Sequence, residues 1–323
     1  MAECVPYSGY LFTSDFIVLS LHLMTCLEVP MLSLGAYVIL YKTPAQMRYV
    51  KWLMLNLHFW ESLADITVSF FYLPYVYFPA LAGFNLGIID APGFWVFLFV
   101  TLLAAMGASV LALYENRYFI LFGQNNWWSR WRFPCLFFIY STVPLFFLIP
   151  YFKLPEQESA RRAVYEQLPC IPKLTFEGRQ LFVLSLDLTV TFASLASETA
   201  LLVIPLYVFF ILTLYNIFTG KLKSASQRTM NMQKKFAIAL TLQSAYLMIV
   251  ILAPICMTFY SLFTLYHNQA YNNFICLMFS FHGFGSTFVM IFVHAPYRQF
   301  VLSLFYYIVP KSPLNVTVVR NTI

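Results

Sequence analysis

Three ionisable side chains stand close together within one apolar stretch of the chain. His58, Glu61 and Asp65 are spaced three and four residues apart, so a helix places them in one stripe. Ionisable groups are costly inside a membrane and are functional candidates there by default. Two interpretations stay open: a polar switch or ion site that couples the two halves of the protein, and a hydrogen-bonded cluster with protonated carboxyls that fixes packing. A catalytic pair is disfavoured, because no nucleophile or metal-ligand spacing completes it.

An acid and an arginine stand beside each other near the end of another apolar stretch. Only Asn116 separates Glu115 from Arg117. A local ion pair between them would hold the guanidinium in place, and breaking that pair would free it to reach a partner at the membrane surface. The alternative is an arginine that extends to the interface without a switching role.

A later stretch has the features of a moving helix. Lys234 and Lys235 precede it, and Pro254 lies within it. Proline kinks a helix because it lacks a backbone N–H. A kinked helix with basic residues at its inner end suits a lever that swings to admit a partner. A static kink that improves packing is the alternative.

Further polar residues lie in the last stretches. Glu198 stands near the outer end of the fifth and His282 in the middle of the seventh, where each is a candidate ligand contact. A carboxylate at the water interface and a hydrogen-bonded core histidine are the respective alternatives. Pro296, Tyr297 and Arg298 follow the last stretch. They lead into a segment that predicts a short amphipathic helix on the inner leaflet.

Motifs of several enzyme classes are absent from the sequence. It contains no P-loop, no Gly-x-Ser-x-Gly and no His-Glu-x-x-His motif. The histidines and cysteines also lack the spacing of a zinc site. We therefore predict a protein that is not an enzyme and that has no cofactor and no metal site.

The elements that must position these residues are seven long apolar stretches. The chain is 61% hydrophobic and 10% charged, whereas soluble domains carry roughly 25% charged residues. Each stretch has about 20 residues or more, enough to cross a bilayer as an α-helix. The sequence predicts one all-α membrane domain over residues 1–323, a seven-transmembrane helix bundle. The stretches are Phe16–Tyr41, Trp52–Tyr75, Phe94–Phe122, Phe133–Phe152, Phe192–Phe218, Phe236–Tyr266 and Phe274–Val293.

Basic residues are concentrated in alternate connections. They lie between stretches one and two, after three, between five and six, and after seven. The connection between stretches two and three carries only Asp90, and the loop after stretch four mixes both signs. The positive-inside rule predicts an outer N-terminus and a cytoplasmic C-terminus. The net charge of +6 therefore indicates membrane lipid as a partner, and not nucleic acid.

Two of the six cysteines test this topology. Only Cys4 and Cys170 fall in segments predicted to be extracellular, where disulfides persist. A Cys4–Cys170 disulfide would fasten the N-terminus over the long second outer loop, and two free thiols are the alternative. In the same loop the alternating run Phe182–Leu186 predicts a short strand.

Four short strings resemble one family of receptors. They are Asn56–Trp60, Glu115–Tyr118, Gln233–Phe236, and the last stretch from His282-Gly283 to His294–Arg298. They closely resemble the nematode serpentine chemoreceptors of class H, within the G-protein-coupled receptor-like superfamily. The resemblance covers the chain from about Leu11 to Phe305. The Pro-Tyr-Arg ending is shared by a wider group of nematode chemoreceptor families.

The resemblance implies a chemosensory G-protein-coupled receptor. Such a receptor binds a small chemical cue and activates a heterotrimeric G protein, in the plasma membrane of sensory cilia. By analogy with rhodopsin-like receptors, Glu115 and Arg117 take the place of the acid–arginine switch, and Pro296-Tyr297 that of the proline–tyrosine element. Asn116 departs from that pattern because it separates the acid from the arginine.

The residues alone leave another class of function open. In a ligand-gated channel or transporter of the seven-span type, the polar stripe of the second stretch would line a conducting path. The sequence shows no inverted repeat and no pair of broken helices, which many transporters have. A structural or chaperone-like membrane protein is a third possibility. The outer aromatic residues predict an apolar pocket but select no particular ligand.

Overall fold

The protein is a bundle of long helices with a small β-sheet at one end. A computed structural model describes residues 3–4, 9–124, 126–171, 178–218 and 227–308. The helices are α1 (Ser14–Lys42), α2 (Arg48–Ile66), α3 (Pro92–Tyr118), α4 (Trp128–Thr142), α5 (Leu148–Phe152), α6 (Gln157–Gln167), α7 (Leu188–Phe218), α8 (Gln227–Thr264), α9 (Gln269–Ser280), α10 (His282–Val293) and α11 (Ala295–Ile308). The strands are β1 (Glu3–Cys4), β2 (Pro74–Val76), β3 (Leu81–Asn85), β4 (Phe182–Ser185) and β5 (Tyr266–His267).

Five helical segments of the described chain are long and apolar enough to cross a membrane. They are Ser14–Lys42, Pro92–Gly123, Leu188–Asn216, Lys234–Thr264 and Gln269–Val293. They correspond to predicted stretches one, three, five, six and seven. The last of them contains α9 and α10, which are interrupted only at Phe281. α11 follows, as predicted from the sequence after the seventh stretch.

The second stretch, predicted over Trp52–Tyr75, ends earlier than expected. α2 gives way at Thr67 to a wider π-helical turn that runs to Tyr72. Leu73 then adopts a φ of 44°, a left-handed conformation that is uncommon for a side chain with a Cβ. This turn leads the chain into β2. The prediction was too long because an apolar run does not distinguish a helix from a buried strand.

The prediction of one continuous helix over the fourth stretch, Phe133–Phe152, is wrong. α4 ends at Thr142 and α5 begins at Leu148, with a turn between them. Pro144 lies in this break. Val143 keeps a helical conformation, but proline has no backbone N–H, so Pro144 cannot donate the hydrogen bond that would continue α4. Hydropathy predicted the length of the apolar segment correctly but not the interruption.

α3 is the central helix of the bundle. It packs against α2 and α7, while α10 packs against α1 and α8. The buried side chains of α3 include Leu102, Met106, Leu111 and Tyr114. The outward faces of α1 and α4 are apolar, for example at Leu23, which is the surface that lipid requires.

Strands β2, β3 and β4 form an antiparallel sheet that we call the lid. Its β4 is the strand predicted within Phe182–Leu186. β2 and β3 follow α2, and β4 comes from the loop before α7, so the lid joins two distant connections. Arg179 strengthens this junction, because its guanidinium donates to the carbonyl oxygens of Asn85 and Gly87 at 2.7 Å each.

Buried amides fasten the lid to the beginning of α9. Gln269 donates to the carbonyl oxygen of Val76 at 3.1 Å, and Asn272 donates to that of Phe78 at 3.2 Å. Asn273 donates to the carbonyl oxygen of Leu11, before α1, at 2.9 Å. Because buried polar groups require partners, these bonds fix where α9 starts. We call this end of the bundle the lid end, and the opposite end, which carries α11, the tail end.

His267 gives the lid a predicted pH dependence. Its Nδ1 hydrogen bonds with the carbonyl oxygen of Phe78 at 2.7 Å, and burial lowers its pKa below the usual 6.5. As pH falls, the His267 imidazole is therefore protonated in the unfolded state before it is protonated in the folded state. The contribution of the neutral imidazole to folding stability is present above pH 6.5 and is lost as pH falls below it. We expect lid amides to exchange hydrogen faster at pH about 5.5 than at about 7.5, after correction for intrinsic rates.

The control for this prediction is His267→Gln, which keeps an N–H donor but does not titrate. The pH dependence of exchange should disappear in this variant. Hydrogen bonds from Ser159 and Thr189 lower the pKa of Glu156 and Asp187, so these carboxyls titrate below the tested range. An unchanged pH dependence in His267→Gln would show that another group is responsible.

Candidate functional site

A polar cluster joins α1, α2, α9 and α10 in the interior of the bundle. Its members share deep burial, with at most 1% of each residue exposed. Polar groups at such depth are held by one another and not by water. The polar cluster consists of Glu28, Glu61, Asp65, Ser69, Ser280, His282 and Ser286.

Asp65 and His282 form the central contact of the polar cluster. His282 Nδ1 lies 2.9 Å from Asp65 Oδ1, and the backbone N–H of Gly283 donates to the same oxygen at 3.3 Å. A Cβ on Gly283 would overlap the Asp65 carboxyl group. Glycine at this position therefore permits the close approach of α10 to α2.

The predicted stripe of α2 reaches two different neighbours. Glu61 accepts a hydrogen bond from the Ser286 hydroxyl of α10 at 2.9 Å. His58 instead faces α1, where its Nε2 lies 2.8 Å from the carbonyl oxygen of Leu32. The structure thus places all three residues in the interior but divides them between two interfaces. Their role as a switch stays a prediction.

Glu28 of α1 is a member that the sequence reasoning missed. Its two carboxylate oxygens accept hydrogen bonds from Ser69 at 2.9 Å and from Ser280 at 3.0 Å. It therefore links α1 to the π-helical turn after α2 and to α9. The signal was present in the sequence, since an acid within an apolar stretch is a candidate by itself.

Glu198 lies apart from the polar cluster. It is buried on α7, and its carboxyl group accepts a hydrogen bond from Thr142 of α4 at 3.3 Å. His282 contacts α2 instead, so the structure does not bring these two candidate ligand residues to one site. Within the described ranges, no group of three His, Cys, Asp or Glu side chains is arranged to hold a metal ion.

A cavity of about 180 Å³ lies beneath the lid, between the lid, α3 and α9. We call it the lid cavity. Its walls are almost entirely apolar. The described lining residues are Val68, Tyr72, Pro74, Val76, Phe78, Leu81, Ala82, Gly83, Pro92, Val96, Phe99, Phe182, Leu184, Ile275, Cys276 and Phe279.

The lid cavity adjoins the polar cluster along two chain segments. Val68 lines the cavity, and the next residue, Ser69, binds Glu28. On α9, Phe279 lines the cavity, and the next residue, Ser280, binds the same carboxylate. A molecule in the cavity therefore touches the segments that the polar cluster holds together.

At the tail end, the ion-pair partner of Glu115 is Arg132, and not Arg117 as the sequence led us to expect. Glu115 accepts from Arg132 Nη2 at 2.9 Å and from the indole N–H of Trp128 at 2.7 Å. Residues two apart on a helix point in different directions, which explains the difference. Glu115 therefore connects α3 to α4.

Arg117 points toward α8 instead. Its guanidinium carbon lies 4.3 Å from the centre of the Phe236 ring, a cation–π contact. The centres of the Phe236 and His294 rings are 5.6 Å apart, and those of the His294 and Tyr297 rings are 5.5 Å apart. The Tyr297 hydroxyl then lies 2.8 Å from that of Thr43. We call this series the tail-end contacts, and it joins α3, α8, α11 and the end of α1.

The other predicted tail-end residues surround these contacts. Lys234 and Lys235 are exposed just before Phe236. Arg298 donates to the carbonyl oxygen of Phe292 at 2.7 Å. Pro296 is the second residue of α11, next to Tyr297, and is partly buried.

Two further predictions concern α8 and the cysteines. Pro254 lies inside α8, where Thr258 donates to its carbonyl oxygen at 2.9 Å. Cys170 is disulfide-bonded, and Cys26, Cys135, Cys256 and Cys276 are free. The side chain of Cys4 lies outside the described part of the chain, so its pairing with Cys170 stays a prediction.

Comparison with known proteins gives a consistent family assignment. Residues 13–307 match the family described as "Serpentine type 7TM GPCR chemoreceptor Srh". The chain is 25% identical over 321 residues to serpentine receptor class H-72 of Caenorhabditis elegans, covering 94% of this chain and 89% of the relative. The fold is similar to that of squid rhodopsin, with a TM-score of 0.62 at 10% identity, covering 94% and 88% of the two chains. The chain therefore belongs to the class H serpentine chemoreceptors, multi-pass membrane proteins with the seven-transmembrane fold.

Proposed function

We propose that this receptor binds a small chemical cue in the lid cavity and activates a heterotrimeric G protein at the tail end. One observation carries the proposal. The lid cavity and the polar cluster share the π-helical turn after α2 and the end of α9. A ligand that packs against Val68 and Phe279 therefore acts on the helices whose relative position the polar cluster fixes.

The proposed signal passes along α10. This helix begins at His282 in the polar cluster, and the chain reaches His294 and Tyr297 directly after its end. A ligand shifts a conformational equilibrium only by its differential affinity for the two states. A ligand that favours a displaced α10 would weaken the contact of His294 with Phe236, and with it the position of Arg117.

The partner site at the tail end would then be a basic groove. Arg117, Lys234 and Lys235 would edge the opening between α3 and α8. A C-terminal helix of a G protein can dock in such a groove with its apolar face inward. The described cations of this end supply electrostatic attraction for an acidic segment.

The same proposal orients the protein in the plasma membrane, with the lid end outside and α11 in the cytoplasm. The distribution of basic residues supports this orientation. The disulfide at Cys170 supports it too, because disulfides persist in oxidising compartments. Membership of a chemoreceptor family supports a location in the cilia of sensory neurons.

A channel or transporter has less support. The stripe of α2 is bonded to α1 and α10, so its polar groups hold helices together. A ligand-gated current through the purified protein in a planar bilayer, with no G protein present, would favour the channel instead.

Substitution of Arg117 tests the proposed coupling. A ligand screen with a calcium or cAMP readout, in cells with verified surface display, supplies the agonist. Because the substitution removes a cation–π contact of about 1–2 kcal/mol, we expect Arg117→Ala to reduce agonist potency about tenfold or more. Exposed Arg130 is the matched control, and Arg130→Ala should leave potency unchanged. Equal responses of Arg117→Ala and wild type at equal surface expression would refute the role of Arg117.

A further inference from the structure

We infer that the lid cavity accepts a compact, uncharged, apolar molecule about the size of a substituted benzene ring. This inference rests on the proposed function for its biological meaning, but its physical content is the chemistry and size of one cavity. It excludes ligands that are recognised through a carboxylate, an ammonium group or a phosphate.

The lining offers no charged partner among its described residues. Among the described lining residues, only Tyr72 and Cys276 have a polar atom in the side chain. A ligand charge would have to leave water without a counter-charge, which is far more costly than the burial of an apolar group.

The acids below the lid cavity are already engaged. Both carboxylate oxygens of Glu28 accept hydrogen bonds from serine hydroxyls. Asp65 Oδ1 contacts His282 Nδ1 and accepts a hydrogen bond from the backbone N–H of Gly283, whereas the buried Asp65 Oδ2 has no hydrogen-bond partner among the described residues. Neither acid is among the lining residues. A cationic ligand in the cavity would therefore have to displace the serine bonds of Glu28, or pass beyond the lining to reach Asp65, before it gained a counter-charge.

The volume sets the size of the ligand. An engineered apolar cavity of about 150 Å³ in another protein stays dry and binds benzene. The lid cavity has about 180 Å³ and is partly open, so it accommodates one substituted ring. Transfer of an apolar molecule from water into such a cavity is favourable in proportion to the area buried.

The shape of the walls favours a planar ring. Phe99 and Phe279 meet edge to face, with ring centres 5.7 Å apart, and both line the cavity. Small residues at Ala82, Gly83 and Cys276 leave the open volume among these larger side chains. Aromatic rings attract a further ring at their edges and faces. Cys276 is therefore a position where a larger side chain would replace the ligand.

Thermal unfolding of the purified full-length receptor in lipid nanodiscs tests the inference with defined probes. Toluene and cyclohexanone represent the proposed class, and benzoate is a charged molecule of similar size. We expect both uncharged probes to raise the Tm by about 3 °C or more near saturation, and benzoate to have no effect. No increase with either uncharged probe, or an equal increase with benzoate, would overturn the inference.

Two cysteine variants separate the cavity from the bilayer, where apolar probes also dissolve. Cys276→Phe fills the lid cavity and should abolish the increase in Tm. Cys26→Phe is the matched control, since Cys26 is exposed on α1, and it should respond as the wild type does. An increase of wild-type size in Cys276→Phe would assign the effect to the lipid and overturn the inference.

A second matched pair applies if Cys276→Phe does not fold. Leu184→Trp fills the cavity from the lid, while Leu186→Trp changes a residue that is 52% exposed just beyond β4. Only the first should abolish the response to toluene. The experiments then distinguish failure of the inferred ligand class from failure of the proposed function. Toluene-induced stabilisation without G-protein activation by any agonist would refute the proposed function alone, whereas activation by a charged cue that Leu184→Trp abolishes would refute the ligand class alone.

Discussion

Replacement of His282 by leucine should destabilise the receptor by about 3–5 kcal/mol. The substitution leaves Asp65 fully buried without the imidazole that lies 2.9 Å from it. Removing one partner of a buried pair exposes the full desolvation cost of the other, because no water can replace it. Denaturant unfolding of the purified protein in mixed micelles measures this change.

A double-mutant cycle separates the pair from simple loss of packing. Asp65→Leu and the double variant Asp65→Leu/His282→Leu complete the cycle. We expect the double variant to be markedly more stable than the sum of the single changes predicts, because neither buried ionisable side chain is left without the other. His22 lies exposed on α1, so His22→Leu is the matched control and should cost little. Additive single effects would show that the two side chains do not interact.

Replacement of Glu115 by leucine should cost about 2–4 kcal/mol. The carboxylate is fully buried and accepts bonds from Trp128 and Arg132, so the change leaves an indole N–H and a guanidinium without this acceptor. The effect should concentrate on α4, which hydrogen exchange would detect as faster exchange of its amides.

An exposed ion pair of the same chain provides the comparison. Glu158 pairs with Arg162 at 3.7 Å, and its side chain is 72% exposed. Exposed pairs contribute little because water and salt screen them, so Glu158→Leu should not measurably change stability. Glu115→Gln should retain part of the stability, since its amide oxygen still accepts a hydrogen bond. Equal stability of Glu115→Leu and Glu158→Leu would contradict the structural importance of the Glu115 contacts.

Hydropathy predicts the helices well wherever one long apolar run crosses the bundle. α1 and α7 follow this rule, and their length alone suffices to predict them. The rule fails after Ile66, where the apolar run continues from α2 into the buried strand β2. It also fails at Pro144, because averaging over a window hides a single residue that cannot donate a helical hydrogen bond.

In the candidate site, too, the sequence predicted some features and not others. The spacing of Glu61 and Asp65 predicted their common burial, since both belong to one helix. Their partners Ser286 and His282 lie more than 200 residues away in sequence, and spacing within a helix contains no information about such contacts. Glu115 shows the opposite error, because closeness in sequence suggested Arg117 while the fold supplies Arg132.

The attachment of the lid to α9 has a consequence for pharmacology. Gln269 and Asn272 bind carbonyl oxygens of the β2–β3 hairpin, so the sheet and the start of α9 should move as one body. A nanobody that binds the outer face of the lid would displace α9 without occupying the lid cavity. We expect such a reagent to change the basal activity of the receptor in either direction, according to the tilt that it imposes.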